Sequence, residues 1–102
     1  MAKRILEHDT ALYPFPVVLV SERDSKGKLN FMTAAWCGIV CSKPPMISVS
    51  IRPSRLTGLI IKEAKEFVIN VPRASYVKEV DLAGVLSGKD TDKFKKLKFT
   101  AL

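Results

Sequence analysis

Apolar and polar positions run in short blocks through the first half of the chain, and each block has the length of a strand. Residues 16–21 (Pro-Val-Val-Leu-Val-Ser) form a β-branched block of the kind that fills a buried strand. The polar stretch 22–27 ends in Gly27 and predicts a turn. Residues 28–33 then alternate well enough to be the return strand of a hairpin. A third strand is expected over 36–42, interrupted at Gly38. Pro44-Pro45 punctuates the chain, and residues 46–51 alternate apolar side chains with Ser48 and Ser50, as a strand with one polar face does.

The pattern changes after Pro53. Thr57 is placed to cap a helix over 58–66, with Leu59, Ile60 and Ala64 on one side. Residues 67–71 return to strand and are closed by Pro72. Ser75 is expected to cap a second helix over 76–86, with Val77, Val80, Ala83 and Leu86 at helical spacing and Ser87-Gly88 ending it. The remainder is mixed, with a short helix expected around 92–96. There is no internal repeat and no low-complexity linker. Strands first and helices afterwards predict an α+β fold or a small, mainly β barrel with helical crossovers. A doubly wound sheet is disfavoured because the first four strands are joined too tightly for intervening helices.

At 102 residues and 47% apolar content the chain suits one small domain, which a partner subunit or a bound cofactor would help to stabilise. No apolar run approaches the roughly 18–20 residues needed to span a bilayer. The basic start at Lys3 and Arg4 is followed by Glu7 and Asp9 without an apolar signal core, so a cytoplasmic location is expected. Cys37 and Cys41 lie in apolar surroundings and are expected to be reduced, buried core residues. With them and His8 alone, no zinc site of ordinary composition can be assembled. The net charge of +7 is compatible with nucleic acid, an acidic surface or a phosphate-bearing ligand. Its densest run, Lys93, Lys95, Lys96 and Lys98, is what a solvated face also looks like.

Two segments concentrate chemistry. Residues 48–57 place Ser48, Ser50, Ser54, Thr57, Arg52 and Arg55 between a strand and a helix start. Unpaired backbone N–H groups and guanidinium forks together make a phosphate site; caps, a turn and solvated arginines would give the same composition. In residues 30–38, Asn30, Met32, Thr33, Ala34 and Trp36 end a strand with small residues beside an aromatic ring. That arrangement admits a flat ligand, and it equally describes a tight turn with the indole in the core.

An ordered set of motifs then adds weight. Tyr13-Pro14-x-Pro16 leading into 17–20, Asn30-x-Met32-Thr33-Ala34-Ala35-Trp36, Pro44-Pro45-Met46, Ser50-x-Arg52-x-Ser54-Arg55-x-Thr57, residues 66–71, Ser87-Gly88 and Asp92-Lys93-Phe94 together resemble the flavin reductase-like family. The resemblance implies a split β-barrel that binds FMN, usually as a homodimer, with residues 1–102 as the N-terminal portion of the family domain. It further implies that the flavin ring lies by Asn30, Met32, Thr33, Ala34 and Trp36. The phosphate would meet Ser50, Arg52, Ser54, Arg55 and Thr57, with Lys93 as a further contact. NAD(P)H would be the electron donor, and free flavin, ferric iron or a protein the acceptor. No catalytic acid or base is required, because the cofactor carries the redox chemistry. Two other functions stay open: an FMN-binding electron carrier without NAD(P)H activity, and a small basic nucleic-acid-binding barrel that stacks bases on Trp36, Phe31 or Tyr13.

Overall fold

The computed structural model describes residues 2–100; Met1, Ala101 and Leu102 lie outside the described residues. In chain order the elements are β1 (Val18–Arg23), β2 (Leu29–Ala34), β3 (Cys37–Ser42), β4 (Pro45–Val49), α1 (Leu56–Ala64), β5 (Val68–Asn70), α2 (Val77–Val85) and α3 (Lys93–Leu97), with a 3-10 turn at Ala74–Tyr76 before α2. The expected order of strands and helices is the observed one. The first strand is displaced, beginning at Val18 rather than residue 16; Pro16 has no N–H to give a ladder.

β1 and β2 form the expected antiparallel hairpin, with Val20 opposite Met32 and Glu22 opposite Asn30. Its turn is built by the Asp24 carboxylate, which accepts from the backbone N–H groups of Lys26 (2.9 Å) and Lys28 (2.8 Å). Gly27 takes φ +83°, a conformation that a residue without Cβ adopts at little cost. β5 adds antiparallel to the other side of β1, giving the order β2-β1-β5.

Alternation along these strands separates two faces. One carries Val18, Val20, Met32, Ala34 and Ile69 and is covered by Ile61 of α1, with Val20 wholly buried. On the other, Phe31 meets Phe94 and Phe99 edge-on, with ring centroids 4.7 and 5.5 Å away. α2 lies against β2 on this second face, where the Thr33 hydroxyl donates to the Val80 carbonyl.

β3 and β4 make a separate two-stranded sheet. Cys37 pairs with Val49 and Ile39 with Ile47, after which Val40 is the extra residue of a bulge and Cys41 pairs with Met46. Neither cysteine is fully buried, contrary to expectation: Cys37 packs on the edge of the main core, Cys41 is half-exposed on the hairpin, and both thiols are free. Among the described residues neither sheet closes on itself, and both keep open strand edges, as an incomplete barrel does.

The helix starts differ from expectation in two places. Arg55, not Thr57, is the N-cap of α1; Thr57 lies inside the first turn with its hydroxyl turned towards β2. Ser75 makes no capping bond, because the chain enters α2 through the 3-10 turn and Tyr76 stands at the cap. Asp92 does cap α3, accepting from the Lys95 N–H at 3.3 Å. No helix of the described residues is long and apolar enough to cross a membrane.

Candidate functional site

Where β2 runs out, the chain enters the β3–β4 hairpin at Trp36 and leaves it at Ser50. The Ser50 N–H donates to the Trp36 carbonyl at 2.9 Å, so the two chemistry-bearing segments lie side by side. Between them opens a cleft of about 620 Å³, within the range of small-molecule sites. Met32, Thr33, Ala34, Ala35 and Trp36 form one wall. Ser50, Arg52, Ser54 and Arg55 form the other, and Val85 and Ser87 close a third side from the end of α2.

The second wall is electropositive for three reasons. Arg52 is exposed at the rim. α1 begins here with no side-chain capping bond and no acidic residue in its first turn, which leaves backbone N–H groups and the positive end of the helix dipole facing the segment. Arg55 is fixed in place: its guanidinium donates to the carbonyls of Gly84 (2.5 Å) and Leu86 (3.2 Å). α2 has no basic residue in its own last turn, so Arg55 supplies the cation that this carbonyl-rich end favours. A guanidinium carries five N–H donors, and the two carbonyls occupy only part of that fork.

Eight of the residues singled out from sequence therefore share one cleft: Met32, Thr33, Ala34, Trp36, Ser50, Arg52, Ser54 and Arg55. Asn30, Thr57 and Lys93 do not line it. They form a buried cluster behind it with Glu22, in which Asn30 Nδ2 donates to Glu22 Oε1 (2.6 Å) and to Thr57 Oγ1 (3.0 Å). Lys93 Nζ donates to the Ala83 carbonyl at 2.8 Å and stands 6.0 Å from the centre of the Phe31 ring. Burial raises the Glu22 carboxyl above its usual range, while Asn30, Thr57 and the Lys93 charge pull it back. Burial, reinforced by the Arg55 charge, lowers the Lys93 ammonium to about 8 against the pull of Glu22.

Glu22 was missed by the sequence reading, which assigned it to the turn. The signal was its spacing: it follows Val18 and Val20 at intervals of two, so it shares their inward face. Gly88 also belongs to this cluster, since a Cβ there would collide with the amide oxygen of Asn30. Phe31, a proposed base-stacking platform, is 2% exposed and enclosed by other aromatic rings, which removes it from that role.

Comparison with known proteins agrees with the fold. The model of the flavin reductase like domain matches residues 10–101. An uncharacterized protein of Archaeoglobus fulgidus is 39% identical over 89 residues, covering 87% of this chain and 49% of that protein. Flavoredoxin of Desulfovibrio vulgaris (Miyazaki F) superposes with a TM-score of 0.92 at 42% identity, covering 97% of this chain and 54% of that one. Flavoredoxin from Methanosarcina acetivorans gives 0.81 at 35% identity, covering 90% of this chain and 50% of that one. An FMN-binding protein from Thermus thermophilus gives 0.80 at 27% identity, covering 93% and 53% respectively. The chain spans about half the length of these relatives. A family match over nearly the whole chain, on a split-barrel fold shared at this level of identity, shows that the chain belongs to the flavin reductase-like domain family.

Proposed function

We propose that this chain binds FMN in the cleft between β2 and the start of α1, as part of a flavoprotein oxidoreductase. The observation that carries the proposal is the convergence of two segments, residues 32–36 and 50–55, on one cleft of suitable volume. When bound, the flavin would supply the redox chemistry, accepting hydride from NAD(P)H and passing electrons to free flavin, ferric iron or a protein acceptor. The chain's own residues bind and orient. Thr33, Ala34 and Ala35 offer small side chains that let a flat ring approach the backbone, and Trp36 bounds that wall. Ser50, Arg52 and Ser54, with the N–H groups of α1, provide the donors that a phosphate requires. Arg55 adds charge without mobility, because two α2 carbonyls hold it. Asn30, Thr57 and Lys93 then act from behind the cleft rather than as direct contacts.

Assembly as a homodimer and a cytoplasmic setting complete the proposal. The hairpin supports the first: Ile39 (83% exposed), Val40, Met46 and Ile47 offer apolar surface that a second copy could cover.

An absorption spectrum of the purified protein with FMN, followed by titration, tests the central claim: saturable binding supports it, and its absence overturns it. Arg52→Ala is expected to weaken FMN binding by about tenfold, the size of a lost charge-assisted contact, with unchanged folding. Equal affinity would remove Arg52 from the phosphate site. Anaerobic mixing of the FMN-loaded protein with NADH or NADPH separates an enzyme from an electron carrier. Bleaching of the flavin band marks the reductase; a stable oxidised spectrum with bound FMN marks the carrier.

A further inference from the structure

The two walls of the cleft come from different elements, and buried side chains join them from behind. Glu22 is 5% exposed on β1. Its Oε1 accepts from Asn30 on β2, and the Asn30 amide also reaches Thr57 in the first turn of α1. Glu22 and Thr57 are thus joined through the Asn30 amide. Asn30 lies on the strand that ends at the ring-side wall, and Thr57 lies two residues beyond Arg55 of the phosphate-side wall.

The second carboxylate oxygen, Oε2, is buried with no hydrogen-bond partner among the described residues. Such an orphan is costly, and an apolar residue continuing Val18 and Val20 would remove the cost. Core stability therefore gives no reason for a carboxylate at this position. Its position does: one acidic group holds the Asn30 amide that bonds Thr57, and its charge acts on Lys93, which is itself fastened to the last turn of α2. Arg55 grips that same turn at Gly84 and Leu86. All three sides of the cleft thus border one buried polar cluster.

We propose that Glu22 is a positioning residue for the cleft, setting the distance between its walls through Asn30 and Thr57. This rests on the assignment of the cleft to FMN. Glu22 touches no ligand itself; it holds the residues that frame the place where one sits.

The test uses the full chain, titrated with FMN and followed by quenching of flavin fluorescence, at a temperature where circular dichroism shows each variant folded. Glu22→Ala is expected to weaken FMN binding about tenfold, the scale of leaving the buried Asn30 amide without its acceptor. Glu22→Gln keeps an acceptor for Asn30 and recovers most of the affinity. The losses in Glu22→Ala and Thr57→Val are sub-additive, since both cut the same frame. If Glu22→Ala does not fold, Thr57→Val alone carries the comparison, with a several-fold loss expected. Ile69→Ala, a core variant on β5, lowers the melting temperature and leaves FMN affinity at the wild-type value. Wild-type affinity in the frame variants, additive losses, or an equal loss in Ile69→Ala each overturns the proposal. A wild-type chain that binds no FMN overturns the functional assignment instead, and amide exchange then decides on Glu22. Faster exchange at residues 31–35 and 56–59 in the frame variants but not in Glu22→Gln supports the frame, and unchanged exchange overturns it.

Discussion

The β1–β2 pair and the β3–β4 pair are both antiparallel hairpins with β-rich sequences, and they live in different solvents. In the first, Val18, Val20, Met32 and Ala34 are buried beneath α1, and Phe31 is buried on the reverse face. In the second, Ile39, Val40, Met46 and Ile47 stand exposed although they are as apolar as the residues of the core. Strand-forming character alone does not fix burial; a strand is buried only where another element covers it. The first hairpin has three helices against it. The second is anchored at its base, where Cys37 and Val49 touch the core, and extends away from it.

The comparison breaks most plainly under a matched pair of substitutions. Val20→Asp places an unpaired carboxylate at a fully buried site and is expected to cost at least about 3 kcal/mol in urea denaturation. Ile39→Asp makes the same chemical change on the other hairpin and, at its exposed position, should shift stability by less than about 0.5 kcal/mol. Its effect should appear in sedimentation instead, as weaker self-association. Similar losses of stability in the two variants would mean that the second hairpin is covered in the isolated chain.

An effect of intermediate size comes from the titratable cluster, which only the packed region contains. Because Lys93 loses its proton at about 8 in the folded chain and at 10.5 when unfolded, the penalty of its buried charge applies in full below pH 8. Stability attributable to this group therefore rises as pH goes from 8 towards 10.5, by at most about 3 kcal/mol. Urea midpoints across that window, compared with those of Lys93→Met, isolate the contribution; the variant should lack the rise. Parallel curves would show that the ammonium keeps its proton through the window.

Local order was the legible part of the fold. The block at 17–20 and Gly27 announced the first hairpin, and the alternation at 46–51 announced β4, because these signals act between near neighbours. The cleft was legible for the same reason: its two main walls are continuous segments whose hydroxyls, guanidinium groups and small residues are visible in sequence. Its third side was not, since nothing local brings Val85 and Ser87 to Thr33 and Arg55. Thr57 shows the limit most sharply. A threonine before an apolar run is a normal capping signal, yet its hydroxyl is claimed by Asn30, 27 positions earlier. Glu22 was hidden by its type, since a carboxylate next to Arg23 and Asp24 belongs by composition to a turn and only its phase along β1 turns it inward.

The hydrogen bond from Ser50 to Trp36 closes the base of the outer hairpin at the rim of the cleft. The exposed apolar side chains of the hairpin and the cleft therefore share one border, residues 36 and 50. If a second copy covering the hairpin and a ligand in the cleft favour the same arrangement of that border, each strengthens the other by the same free energy. Ligand affinity would then depend on protein concentration.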